Sequence, residues 1–73
     1  MTREEAIATA KAVALEQGWP WREPIFARKE RPFIILGRPY WRLRSSADRR
    51  GGNVNVYIDC RTGKVLRKAF APR

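Results

Sequence analysis

The sequence contains no histidine and one cysteine, Cys60. A single cysteine cannot close a disulfide within the chain. A structural zinc site needs about four ligands, and these residues do not supply them. The missing histidine also removes the commonest general base, which argues against a hydrolase built on Cys60. Acidic side chains are scarce, 7 against 16 lysines and arginines, for a formal net charge of +9. No apolar run approaches the roughly 20 residues that span a bilayer, so no membrane span is expected. The N-terminal stretch MTREEAIATA is too charged for a secretory signal, and a cytoplasmic location is expected. No phosphate loop, RNP-like motif or helix-turn-helix pattern is visible, so neither a cofactor nor an enzymatic activity is expected.

What is present is globular in character. Hydrophobic residues make up 44% and charged residues 32% of 73 positions, a balance found in folded chains. The length predicts one domain, 1–73, with a small core. The charge is uneven. Residues 1–37 hold six basic and five acidic side chains, whereas residues 38–73 hold ten basic side chains against Asp48 and Asp59. Such a field attracts acidic protein surfaces, nucleic acid or anionic lipid without choosing among them.

The spacing predicts a helix over 3–17. Thr2 is suited to the N-cap and Glu5, three residues on, completes a capping box. Ala6, Ile7, Ala10, Val13 and Ala14 recur on one face, with Leu15 at its margin. Gly18 suits the left-handed position that ends helices, and Trp19 falls where it can fold back onto Val13 and Ala14. WPWREP then breaks regular structure at Pro20 and Pro24. IFARKERP holds at most a weakly patterned edge strand. Phe33 to Leu36 is a continuous apolar run, followed by turn chemistry at Gly37-Arg38-Pro39. From Tyr40 to Ser45 the pattern alternates, with Trp41 and Leu43 on one side and Tyr40, Arg42 and Arg44 on the other.

NVNVYIDC is the cleanest strand. Val54, Val56, Ile58 and Cys60 share one face; Asn53, Asn55, Tyr57 and Asp59 share the other. A three-residue loop, RTG, with Gly63 in the left-handed region, leads into KVLRKAF. Pairing Cys60 with Lys64 sets Ile58 opposite Leu66, Tyr57 opposite Arg67 and Val54 opposite Phe70. Asp59 is expected to accept hydrogen bonds from turn amides. Cys60 is expected to act as a small buried hydrophobe. Trp19 and Trp21 are expected to close one end of the core, and Trp41 to enter it. The whole predicts an α+β domain, one N-terminal helix packed on a curved antiparallel sheet of three or four strands near 33–36, 40–46, 53–60 and 64–70.

VYIDCRTGKVL resembles the C-terminal hairpin of PepSY domains, in which a hydrophobic strand ends in Ile-Asp and passes through Thr-Gly into a Val-Leu strand. The wider stretch from about residue 30 to 70 is also similar to small bacterial immunity proteins with a nuclear-transport-factor-like fold. Its matching positions are Pro32, Phe33, Trp41, Gly51, Gly52, Ile58, Asp59, Thr62, Gly63 and Leu66. Both resemblances imply a helix on an antiparallel sheet in the cystatin-like manner. The first implies an inhibitory module, usually extracytoplasmic; the second implies neutralisation of a toxin partner inside the cell.

By alternation the sheet's second face carries Tyr40, Arg42, Arg44, Asn55, Tyr57 and Arg67, with Arg49 and Arg50 in the adjoining loop as candidate anion contacts. Arginine and tyrosine are enriched at protein interfaces, and the same mixture binds phosphates and stacks on bases. Three readings therefore stand together: a solvated face, a surface for an acidic protein partner or a second copy, and a nucleic-acid surface.

Overall fold

The computed structural model describes residues 1–30, 39–48 and 51–71. Their elements run in the order α1 (Arg3–Gln17), β1 (Phe26–Glu30), β2 (Tyr40–Arg44), β3 (Asn53–Asp59) and β4 (Val65–Ala71). The four strands form one antiparallel sheet in sequence order, β1-β2-β3-β4, with β1 and β4 at its edges. The fold is thus the α+β arrangement that the sequence predicts. The predicted strand at 33–36 and the turn at Gly37-Arg38 lie outside the described residues. The weakly patterned IFARKERP segment supplies the edge strand β1.

Both ends of α1 are fixed by local chemistry. The Glu5 N–H donates to Thr2 Oγ1 at 3.2 Å and the Thr2 N–H donates to Glu5 Oε1 at 2.9 Å. These two bonds satisfy donors that a helix start leaves open. The Glu5 carboxyl is held below its ordinary pKa, chiefly by the Thr2 backbone N–H that donates to it and then by the Thr2 hydroxyl. At the other end Gly18 takes φ 74°. The Gly18 N–H donates to the Leu15 carbonyl at 3.2 Å and the Trp19 N–H to the Ala14 carbonyl at 2.8 Å, which folds the chain back as a Schellman motif.

Ala6, Ala10 and Ala14 are fully buried, at 0% exposure. Small side chains along that stripe let the helix backbone approach the sheet closely. Leu43, Val54, Val56 and Ile58 meet it from below, also at 0%. Burying each of these larger side chains favours folding by about 1.5–3 kcal/mol before chain entropy opposes it. Ile7, Val13, Trp19, Trp21, Ala27, Trp41, Val65 and Phe70 pack around this centre. The three tryptophans therefore serve the core, as the alternation predicts. The helix lies against β1, β2 and β3, while Trp19 covers the outer strand by stacking on Phe70 with centroids 6.0 Å apart. Among the described residues no helix is long and apolar enough to cross a membrane.

The β3–β4 hairpin departs from the expected register near its turn. Val54 pairs with Phe70 and Tyr57 with Arg67 as expected, but Ile58 pairs with Val65 rather than Leu66. The ladder shifts between Tyr57 and Ile58, so Leu66 is left out of it and stands 54% exposed. The loop is also longer by one residue than predicted. The Gly63 N–H closes on the Asp59 carbonyl at 2.9 Å and the Asp59 N–H donates to the Lys64 carbonyl at 2.8 Å. Cys60 is thereby drawn off the strand into the turn and is half-buried instead of joining the core. Asp59 does cap the turn, its Oδ1 accepting from the Arg61 N–H at 2.7 Å and the Thr62 N–H at 3.3 Å.

Asn53, at the start of β3, is buried. It is only 3% exposed, because it ties the β2–β3 loop together. Its Nδ2 donates to the Ser45 and Ser46 carbonyls at 2.8 and 2.9 Å, and its Oδ1 accepts from the Gly51 N–H at 3.0 Å. The same loop holds the proline-broken segment before β1. The Ser46 N–H donates to the Arg22 carbonyl and the Ala47 N–H to the Pro24 carbonyl.

Candidate functional site

Ala27, Trp41, Leu43, Val54, Val56, Ile58 and Phe70 turn toward the helix, so the alternate residues of each strand form the opposite face. Cross-strand pairing then arranges that face in rows. One row runs Phe26, Arg44, Asn55, Ala69. The next runs Arg28, Arg42, Tyr57, Arg67. A third runs Glu30, Tyr40, Asp59. Tyr40, Arg42, Arg44, Asn55, Tyr57 and Arg67 thus share one surface, as the alternation of β2 and β3 and the pairing of Tyr57 with Arg67 on β4 predict. Arg49 and Arg50 lie outside the described residues.

The β1 contributions, Phe26, Arg28 and Glu30, were not legible as part of this face. The strand FARKE buries only the small Ala27 against the core, so its apolar alternation is faint. The signal that does locate it is the bare alternation Phe-x-Arg-x-Glu between Pro24 and Pro32.

The middle row concentrates charge. Arg28 stands directly opposite Arg42, and like charges in that position oppose sheet formation by about 0.2–1 kcal/mol. Glu30 offsets part of this. Its Oε1 lies 3.7 Å from Arg42 Nη1. Its Oε2 accepts a hydrogen bond from the Tyr40 hydroxyl at 3.1 Å. That bond, followed by partial burial and the nearby negative charge of Glu30, raises the Tyr40 phenol above its ordinary pKa. The hydroxyl therefore keeps its proton at neutral pH and is not activated as a nucleophile or base. The Tyr40 ring stacks on Tyr57 with centroids 5.6 Å apart and planes 7° from parallel.

Two shallow depressions open on this face. One, of about 140 Å³, is lined by Phe26, Arg42, Arg44 and Ala47. The other, of about 210 Å³, is lined by Asn55, Tyr57, Arg67 and Ala69. Both present hydrogen-bond donors beside apolar carbon. Such groups are suited to binding and orienting an anionic or polar group. Asp59, the acid at the end of the third row, is occupied by the turn amides of Arg61 and Thr62.

A family model described as "PepSY: Peptidase propeptide and YPEB domain" matches residues 1–69. The match takes in the helix as well as the hairpin and bears out the resemblance of VYIDCRTGKVL to PepSY domains. No curated protein and no solved structure matches the chain.

Proposed function

The chain belongs to the PepSY family, and from that premise we propose that it is a non-catalytic binding module, inhibitor-like in use, which takes an acidic protein partner on its arginine–tyrosine sheet face. The observation that carries this reading is the row Arg28, Arg42, Tyr57, Arg67, which crosses all four strands in register. A face under selection for stability alone does not gain from setting Arg28 against Arg42, and local rules tend to be broken where a surface serves a function. An acidic partner relieves that repulsion on binding. The stacked tyrosines add a rigid aromatic platform, the kind of group that dominates protein interfaces. The family description names a peptidase propeptide, which favours a protein over a nucleic acid as the bound molecule.

The test is a titration of the protein with a synthetic oligoglutamate peptide and with single- and double-stranded oligonucleotides, each at two salt concentrations. The peptide is expected to bind, and Tyr57→Ala and the double variant Arg42→Ala/Arg67→Ala to weaken it while the fold persists. Nucleic-acid binding through arginine–phosphate contacts releases counterions and falls steeply with salt. Tight, steeply salt-dependent oligonucleotide binding that disappears in the double variant would replace the protein-partner reading with the nucleic-acid one.

A further inference from the structure

The arginines of the sheet face are not equivalent. Arg42 is held by Glu30 at 3.7 Å. Arg44 is also engaged within the protein. The guanidinium groups of Arg28 and Arg67 have no ion pair or hydrogen bond among the described residues. Arg67 borders a concavity, the depression of about 210 Å³ that it lines with Asn55, Tyr57 and Ala69. Ala69 is small beside the long side chains of Arg67 and Tyr57, which leaves room for the concavity. One wall is rigid, since the Tyr57 ring is backed by Tyr40 at 5.6 Å.

The chemistry of the lining selects its occupant. A guanidinium offers a planar fork of donors that matches a carboxylate. An asparagine amide and a phenol hydroxyl supply further donors, and among the described residues no acidic side chain lines the depression. The site therefore suits one compact planar anion with a short apolar stem against Tyr57 and Ala69. A polyphosphate strand needs a continuous cationic track instead. Here the row passes from Arg67 through the neutral Tyr57 to Arg42, whose charge Glu30 already offsets.

Resting on the binding function proposed above, we propose that the Asn55–Tyr57–Arg67–Ala69 depression seats the carboxylate of an aspartate or glutamate side chain from the acidic partner. Arg67 is its principal contact, and Arg42 is a positioning charge whose role is to hold Glu30 and, through it, the Tyr40 hydroxyl. Arg67 is a better candidate than Arg42 because no internal carboxylate competes for it.

The experiment is a two-dimensional amide NMR titration of the wild type, Arg67→Ala, Arg67→Lys and Arg42→Ala with the same oligoglutamate peptide, and with a single-stranded oligonucleotide. Wild-type perturbations are expected to centre on the amides of Asn55, Tyr57, Arg67 and Ala69. Arg67→Ala is expected to weaken the peptide about fivefold, the upper range for an exposed charge pair, and Arg42→Ala by less than about twofold. Arg67→Lys, which keeps the charge without the fork, is expected to fall between Arg67→Ala and the wild type. Because Arg67 is exposed, spectra of its variants report binding on an intact fold. Equal losses in Arg67→Ala and Arg42→Ala would overturn the assignment to this depression while leaving the face as the binding surface. Perturbations centred on the helix, or no peptide binding, would overturn both. Oligonucleotide binding tighter than peptide binding and abolished in Arg67→Ala would show that the depression takes a phosphate, and would overturn the carboxylate assignment.

Discussion

Tyr40 and Tyr57 stack face to face, 5.6 Å between centroids, although neither is the other's cross-strand partner. Tyr40 faces Asp59 and Tyr57 faces Arg42 across the β2–β3 ladder, so the two rings meet on the diagonal. Diagonal neighbours lie about 7–8 Å apart at the backbone, within reach of aromatic side chains. The stack joins the middle row of the sheet face to the row that begins at Glu30. Glu30 then ties both together, through the Tyr40 hydroxyl and the Arg42 guanidinium.

That arrangement has a signature in pH. The Tyr40 phenol is raised by the Glu30 hydrogen bond first, then by partial burial. A group whose folded pKa is raised contributes stability that is present below its unfolded pKa and lost as pH rises through the folded value. The contribution is therefore intact at neutral pH and disappears on the alkaline side of about pH 10, the usual tyrosine range. Glu30→Gln is expected to lower the Tyr40 pKa toward its ordinary value and to flatten the alkaline loss of stability. Ultraviolet difference titration and denaturation at several alkaline pH values check both. An unchanged titration curve in Glu30→Gln would show that the carboxylate does not control the phenol.

The alanine stripe of α1 sets how near the helix lies to the sheet. Ala6, Ala10 and Ala14 have no exposed surface, and the side chains beneath them are equally closed to solvent. A larger group at the middle position has nowhere to go without lifting the helix. Ala10→Leu is expected to destabilise the fold by about 1–3 kcal/mol despite its gain in hydrophobicity. For a chain of this size that corresponds to a fall in Tm of about 4–8 °C per kcal/mol. Thermal unfolding by circular dichroism measures it, and a stabilised variant would mean that the interface has slack.

Much of this was legible in the sequence, and the exceptions have physical reasons. Thr2, Glu5 and Gly18 mark the helix because capping is local chemistry, settled within a few residues. Val54, Val56 and Ile58 mark β3 because a half-buried strand must alternate. The same alternation in β2 and β3, with Arg67 of β4 paired to Tyr57, brings Tyr40, Arg42, Arg44, Asn55, Tyr57 and Arg67 to one face. Strand β1 was faint because an edge strand that buries one alanine needs no apolar pattern. The Leu66 irregularity was invisible because a ladder shift depends on how two strands and a turn close together. Alternation places Asn53 on a face of β3 but says nothing of its partners; only the folded loop reveals the carbonyls of Ser45 and Ser46 that its amide reaches. Arg28 and Glu30 entered the site with β1, so the charge opposition at Arg42 could not be foreseen from β2 and β3.

The hairpin turn offers a test of backbone against side-chain strain. Gly63 adopts φ 73°, and a Cβ built there would lie 3.3 Å from Met1 Cε, the free end of a flexible side chain. Gly18 adopts φ 74° with nothing within 4 Å of the added atom. Met1 can swing aside at little cost, so the left-handed backbone dominates at both positions. Gly63→Ala and Gly18→Ala are each expected to cost about 1–2 kcal/mol, equal within error in chemical denaturation. A markedly larger loss at Gly63 would show that the Met1 contact is rigid.

Arg28 supplies the sharpest test of the idea that the face trades stability for binding. It stands opposite Arg42 and has no ion pair or hydrogen bond from its guanidinium among the described residues. Removing its charge removes the repulsion without uncovering any buried group, since the side chain is exposed. Arg28→Gln is therefore expected to stabilise the fold by up to about 1 kcal/mol. The gain should shrink as salt rises, because ions screen exposed charges over about 10 Å at 0.1 M. Lys29→Gln is the control, since Lys29 is paired with Trp41 rather than with a cation, and no comparable gain is expected from it. The same Arg28→Gln substitution is expected to weaken oligoglutamate binding, because it withdraws one charge from the row proposed to meet an acidic partner. Stability that rises while affinity falls is the outcome expected of a surface held under electrostatic tension for a ligand. If Arg28→Gln leaves stability unchanged at low salt, or if Lys29→Gln gains as much, the opposition of Arg28 and Arg42 stores nothing and the row is ordinary solvated surface.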